Sequence, residues 1–114
     1  MVSIPVTVIE MPQFLRQSED VWSDGERAAF IDYIAHNPEE GDIIRETGGV
    51  RKIRWRRQGS GKRGGVRVIY FYHNTSTPIF LLMVYAKAVR TEVSPDAKKA
   101  LAVFSARFKQ ARGQ

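Results

Sequence analysis

The sequence of 114 residues contains no cysteine and only two histidines, His36 and His73. The absence of thiols excludes disulfides, thiolate catalysis and cysteine-ligated metal sites. The two histidines have no partner at metal-ligand spacing, so we expect neither a metal nor any other cofactor. The longest apolar run, residues 79–86, is too short to span a bilayer, and no membrane association is predicted.

Acidic residues are also absent from a long internal stretch, between Glu46 and Glu92. Residues 1–46 carry ten acids against three bases, a net charge of −7, whereas residues 92–114 carry five bases against two acids. Positive charge that is not neutralised within its own segment indicates an anionic partner, most often nucleic-acid phosphate. The ten bases of the acid-free stretch are Arg51, Lys52, Arg54, Arg56, Arg57, Lys62, Arg63, Arg67, Lys87 and Arg90.

The pattern of apolar residues predicts a single α+β domain over residues 1–114, with the element order β-α-α-β-β-β-α. Helix starts are indicated by Ser23 and by Ser94, which Pro95 follows. A six-residue connection joins the last two β-prone runs and predicts an antiparallel hairpin. We therefore expect a small, mostly antiparallel sheet covered by N-terminal and C-terminal helices. The predicted strands are 5–10, 50–55, 66–72 and 78–87, and the predicted helices are 12–17, 24–36 and one from 95 onward.

The glycine-rich segment Gly59–Gly65 invites comparison with a phosphate-binding P-loop, but it does not match one. A P-loop requires glycine five positions before its Gly-Lys pair, where Arg56 stands, and Ser or Thr after the lysine, where Arg63 stands. The exposed N–H groups of such a loop could still hold a phosphate. A plain connection between strands is an equally good interpretation.

Arg67 begins the most apolar predicted strand, where a charged side chain is unfavourable unless it has a partner or a ligand. One interpretation is a ligand site at the rim of the sheet, and the other is an ion pair with a carboxylate of the N-terminal half. In an antiparallel hairpin the start of one strand lies beside the end of the next. Arg67 and Lys87 are therefore expected to meet at one end of the sheet, near Lys62 and Arg63.

Lys52 and Arg54, from the preceding strand, are expected to extend this basic patch. Like charges and partial burial lower the pKa of a lysine, so Lys62 or Lys87 could act as a base at neutral pH. Cleavage of RNA would then need no metal. One group would withdraw the proton of the 2′-hydroxyl, arginines would stabilise the phosphorane, and another group would protonate the leaving oxygen.

Aromatic residues are interleaved with the basic ones, and bases of RNA commonly stack on such side chains. Most aromatic residues in strands belong to the core. We therefore assign a stacking role only to Trp55 and Tyr70.

Three segments, 48–54, 61–72 and 81–87, together resemble the RelE/HigB toxin family of bacterial type II toxin–antitoxin systems, and most closely its HigB-like branch. The resemblance implies a microbial ribonuclease-like α+β fold in a cytoplasmic protein. It also implies metal-independent cleavage of mRNA in the A site of the 70S ribosome, and neutralisation by a cognate antitoxin, a HigA-like helix-turn-helix protein.

The family's strand-opening arginine falls on Arg67 and its late lysine on Lys87. Relatives commonly follow that lysine with Asn and Glu, whereas this chain has Ala88-Val89-Arg90. The candidate catalytic residues are Arg67, Lys87 and Lys62, and the candidate RNA-binding residues are Lys52, Arg54, Arg63, Arg90, Trp55 and Tyr70.

The sequence thus predicts a ribosome-dependent endoribonuclease toxin. Two alternatives use the same basic segment. The chain could be a non-catalytic module that binds RNA or the ribosome, or an inactive toxin that binds only its antitoxin.

Overall fold

The computed structural model describes residues 4–55, 65–87 and 92–112. The predicted order of elements is confirmed, with one additional two-residue strand after the second helix. The first helix extends four residues beyond the predicted Gln17. The elements are β1 (Val8–Glu10), α1 (Pro12–Val21), α2 (Asp24–His36), β2 (Asp42–Ile43), β3 (Val50–Trp55), β4 (Val66–Phe71), β5 (Ile79–Ala86) and α3 (Pro95–Ala111).

The strands form one five-stranded sheet in the order β1-β5-β4-β3-β2. Strand β1 runs parallel to β5, and every other neighbouring pair is antiparallel. This is the mostly antiparallel α+β architecture that the sequence predicted. No helix in the described ranges is long and apolar enough to cross a membrane.

Helices cover both faces of the sheet, and each face has its own hydrophobic core. On one face, Phe14 of α1 and Phe30 of α2 pack against Val68 of the central strand β4. On the other face, Leu101 of α3 packs with Ile69 and its neighbours. Successive side chains of β3 and β4 alternate between these two cores, as expected for extended strands. We call the two sides of the sheet the α1/α2 side and the α3 side.

Strand β5 contains a β-bulge. Ile69 of β4 lies opposite Met83, but the next residue, Tyr70, lies opposite Leu81, so Leu82 has no partner in β4. The extra residue shifts the alternation of side chains, and both Leu82 and Met83 belong to the α3-side core. Every residue of β5 after the bulge therefore faces the opposite side from the one that uninterrupted alternation would give.

The connection between α2 and β2 is held against the sheet by polar side chains of β3 and β4. The Tyr70 hydroxyl accepts a hydrogen bond from the Gly41 N–H (2.8 Å) and donates one to the Pro38 carbonyl (2.9 Å). Arg51 donates to the carbonyls of Glu39 (3.1 Å) and Gly41 (2.8 Å). A Cβ on Gly41 would lie 2.9 Å from the Tyr70 hydroxyl oxygen, so this close approach requires glycine.

Helix α3 is anchored to the turn that precedes β3. The Ser105 hydroxyl donates to the Thr47 carbonyl, and the Lys109 ammonium donates to the Gly48 carbonyl at 2.6 Å. Gly48 has φ +76°, and a Cβ there would lie 2.5 Å from the Ser105 Oγ. The turn and the helix therefore fit together only with glycine at this position.

Candidate active site

Two arginines and a tyrosine form a row across the three central strands. In the sheet register, Arg54 of β3 lies opposite Arg67 of β4, and Arg67 lies opposite Tyr85 of β5. All three occupy strand positions on the α3 side of the sheet, because they alternate with residues of the α1/α2 core. Lys52 lies two residues before Arg54 on the same side. We call Lys52, Arg54 and Arg67 the basic patch.

Arg54 and Arg67 have no carboxylate in their own strands, since residues 47–91 contain neither Asp nor Glu, whereas Lys52 lies opposite Asp42 of β2. Directly opposed residues of antiparallel strands have Cβ atoms about 4.5–5.5 Å apart, so Arg54 and Arg67 repel each other. Between described residues, Arg27 and His36 are the only basic side chains in ion-pair contact with a carboxylate. The second interpretation of Arg67 was an ion pair with a carboxylate of the N-terminal half. No such ion pair is present in the described part of the chain.

Arg67 also has an unused donor. Its Nε atom is buried and has no hydrogen-bond partner among the described residues. A buried donor without a partner is unfavourable, and a guanidinium can bind a phosphate or carboxylate through two parallel N–H groups. The arrangement is suited to an oxyanion that approaches Arg67 from the α3 side and also relieves its repulsion with Arg54.

Lys87 lies at the same end of the sheet as Arg67. Its backbone N–H donates to the Gly65 carbonyl at 3.2 Å, just beyond the pairing of Val66 with Ala86. The structure thus brings the start of β4 and the end of β5 together, as the hairpin geometry required. The remaining predicted site residues Lys62, Arg63 and Arg90 lie outside the described residues.

Tyr70 does not belong to this site, and its predicted contact with RNA is not retained. Its side chain is fully buried on the α1/α2 side and leaves no exposed ring surface for a base. Burial raises the pKa of the Tyr70 phenol to about 12, against the lowering effect of the hydrogen bond from Gly41. Tyr70 is a core residue that fixes the α2–β2 connection.

Trp55 also lies on the α1/α2 side, away from the basic patch. Its ring is half-buried and contacts the rings of Phe30 and Tyr33, with centroid distances of 5.3 and 5.2 Å. Alternation along β3 already placed Trp55 on the opposite face from Arg54. Stacking of an RNA base on this ring is therefore not part of the site that we describe.

Two residues have roles that sequence reasoning did not assign. Tyr85 completes the row beside Arg67, and its position depends on the β-bulge at Leu82, which no sequence signal identified. Arg51 belongs to the acid-free stretch, yet its guanidinium binds backbone carbonyls on the α1/α2 side. This was predictable from the sequence. Side chains alternate along a strand, so Arg51 shares a side with the apolar Ile53 and lies on the side opposite Arg54.

Comparison with known proteins agrees with this fold. The family model described as "RelE toxin of RelE / RelB toxin-antitoxin system" matches residues 22–114. Among solved structures, the chain is similar to a double arginine-to-alanine mutant of E. coli toxin RelE in the free state. That similarity has a TM-score of 0.57 at 14% identity and covers 88% of this chain and 96% of the other. The chain belongs to the RelE family, the toxins of RelE/RelB toxin–antitoxin systems.

Proposed function

We propose that this chain is an endoribonuclease toxin that cleaves mRNA in the ribosomal A site and thereby inhibits translation. The observation that carries the proposal is the pair Arg54 and Arg67, which lie directly opposite each other with no carboxylate in either strand. Two opposed guanidinium groups on strands that contain no carboxylate are suited to a phosphodiester. They are poorly suited to a neutral or cationic substrate.

The reaction that fits this site is an internal transfer of the phosphodiester. A base takes the proton of the 2′-hydroxyl, and the 2′-oxygen attacks phosphorus and forms a 2′,3′-cyclic phosphate. The bond to the 5′-oxygen breaks, and an acid protonates that oxygen. Arg67 stabilises the added negative charge of the phosphorane, with Arg54 beside it, and we assign proton transfer to Lys87 and Lys62.

The proposal includes the partners that the family resemblance implies. The substrate is mRNA on the 70S ribosome, which places the action in the cytoplasm. A cognate antitoxin, of the HigA-like helix-turn-helix type if the chain belongs to the HigB-like branch, binds the toxin and suppresses cleavage.

Alanine substitution of the site tests this function. Arg67→Ala and Lys87→Ala are expected to abolish growth arrest on induced expression, because each removes a cation from the reacting phosphate. Arg16→Ala removes the same charge from the exposed surface of α1 and is expected to remain toxic. Thermal unfolding of the purified variants establishes that all three are folded.

Primer extension on translated mRNA distinguishes cleavage from simple binding. The wild type is expected to produce discrete new mRNA ends, and Arg67→Ala to produce none. Growth arrest without new ends would favour the non-catalytic ribosome-binding alternative. Full toxicity of both site variants would show that the site lies elsewhere.

A further inference from the structure

The sheet separates two faces of opposite charge. The basic patch lies on the α3 side, where α3 itself carries four bases against one acid. The α1/α2 side instead carries exposed carboxylates on both helices and on the connection to β2. We call this surface the acidic face, and its exposed acids are Glu19, Asp20, Asp24, Asp32, Glu39 and Glu40.

Two of the cations on the α1/α2 side are engaged by the protein itself. Arg27 pairs with Glu10 at 2.8 Å and with Asp24 at 3.4 Å. Arg51, although its strand neighbours point to the basic patch, donates to the carbonyls of Glu39 and Gly41. These contacts leave the acidic face with more unneutralised carboxylates than available cations.

The thickness of the molecule determines how the two faces influence each other. The smallest dimension of the domain is 22 Å. The Debye length is about 8 Å at physiological ionic strength, so exposed charges on opposite faces, separated by more than twice this length, are largely screened from each other by the surrounding salt. The acidic face therefore leaves the attraction at the basic patch intact. It repels only phosphates that approach its own side.

We propose that the acidic face confines RNA to the basic patch, so that the domain holds an RNA strand on one side only. A uniformly basic protein of this size would bind RNA over its whole surface through counterion release. Most of those complexes would hold the cleavable bond away from Arg67. This inference rests on RNA being the substrate, as in the proposed function.

Reversal of charge on each side of the sheet tests the proposal. Glu19→Lys with Asp32→Lys raises the net charge by four on the acidic face. Glu92→Lys with Asp96→Lys raises it by the same amount beside and on α3, and serves as the matched control. The substitutions Arg54→Ala and Arg67→Ala are then made together in the wild type and in each of these two charge-reversed backgrounds.

Binding is measured by fluorescence anisotropy at physiological salt, on a single-stranded RNA of roughly 12 nucleotides, within the usual range of site sizes. Its 2′-oxygens are methylated so that cleavage cannot occur.

In the wild-type and control backgrounds, loss of Arg54 and Arg67 is expected to weaken binding about tenfold or more, because it removes two of the three cations of the basic patch. In the Glu19→Lys and Asp32→Lys background, the same loss is expected to weaken binding by less than about threefold, because RNA can then bind the altered face. Circular dichroism checks that every variant is folded.

The outcomes separate this inference from the proposed function. Equal dependence on Arg54 and Arg67 in all three backgrounds would overturn the inference and leave the function standing. Wild-type binding that is insensitive to loss of Arg54 and Arg67 would also overturn it, because RNA would then bind away from the basic patch. A wild-type protein that neither binds this RNA nor cleaves translated mRNA would overturn the proposed function, and the inference with it.

Discussion

At the scale of single residues, the same side-chain type has different roles according to the side of the sheet that it faces. Arg51 and Arg54 are three residues apart in β3. Arg51 binds backbone carbonyls of the α2–β2 connection, while Arg54 lies exposed beside Arg67. An arginine within the basic stretch is thus a candidate for the site only if its strand position faces α3.

Tyr70 gives a residue-scale prediction about pH. Its phenol has a pKa of about 12 in the folded protein and 10.0 as its ordinary value. Between these values the folded state keeps a proton that the unfolded state has lost, so the free energy of unfolding falls as the pH rises. We expect a loss of up to roughly 2–3 kcal/mol from this residue between pH 10 and 12, measured by urea unfolding.

Tyr70→Phe is expected to remove this part of the alkaline slope. Its stability at neutral pH should already be about 1–3 kcal/mol lower, because Gly41 and Pro38 lose their hydrogen-bond partner. Identical slopes for Tyr70→Phe and wild type would contradict the assignment.

At the scale of elements, the contact between α3 and the turn before β3 couples two distant parts of the chain. Gly48→Ala is expected to destabilise the protein for two reasons, the left-handed backbone and the clash with the Ser105 Oγ. The backbone alone accounts for about 1–2 kcal/mol. Removal of the Oγ by Ser105→Ala should eliminate the clash, so Gly48→Ala should cost only the backbone penalty in that background.

Urea unfolding of the two single variants and the double variant measures this coupling. We expect the double variant to be less destabilised than the sum of the two single variants, by about 1 kcal/mol or more, because Ser105→Ala removes the atom with which the new Cβ clashes. Additive effects of the two substitutions would show that the turn relaxes away from α3. The matched control is Gly49→Ala, which also has a positive φ of +117° but would contact only Phe71, at 3.6 Å.

Most helices and strands were predictable from the sequence. The features that were not predicted are those that depend on pairing between strands or that are too short to form a pattern. Ser23 and Ser94 identified two helix starts because a cap depends only on the next three residues. The alternation of β3 and β4 identified which residues share a side of the sheet, and the structure shows which of the two sides α3 covers. The bulge at Leu82 was not predictable, because it arises from pairing with β4. Strand β2 was missed because two residues are too few to form a pattern.

The neighbours within the candidate site were predicted in part, for the same physical reasons. The strand positions of Arg54, Arg67 and Lys87 lie at one end of the sheet, as expected because hairpin geometry determines which strand ends are neighbours. Tyr70 was misassigned because its hydrogen bond to Gly41 spans 29 residues of the chain. Nothing in the local sequence shows that its hydroxyl is used inside the protein.

At the scale of the whole molecule, charge is distributed by side of the sheet, and salt dependence is the direct measure of its role in binding. Each phosphate neutralised on single-stranded RNA contributes about 0.7 to the slope of log affinity against log salt. Arg54→Ala should therefore reduce the slope by about 0.7 for each phosphate that the variant no longer neutralises. Arg16→Ala, on α1, should leave the slope unchanged, and an equal reduction in both variants would indicate binding through net charge alone.

The bulge in β5 also has a consequence for how this strand tolerates changes of length. It holds one residue more than β4 can pair with. A deletion at Leu82 would remove the bulge and restore regular pairing, and Tyr85 would remain beside Arg67. A deletion in a strand without such a spare residue would turn every later side chain to the opposite face. Among the strands that carry the site, β5 can therefore lose one residue, at the bulge, without a change in which side its last residues face.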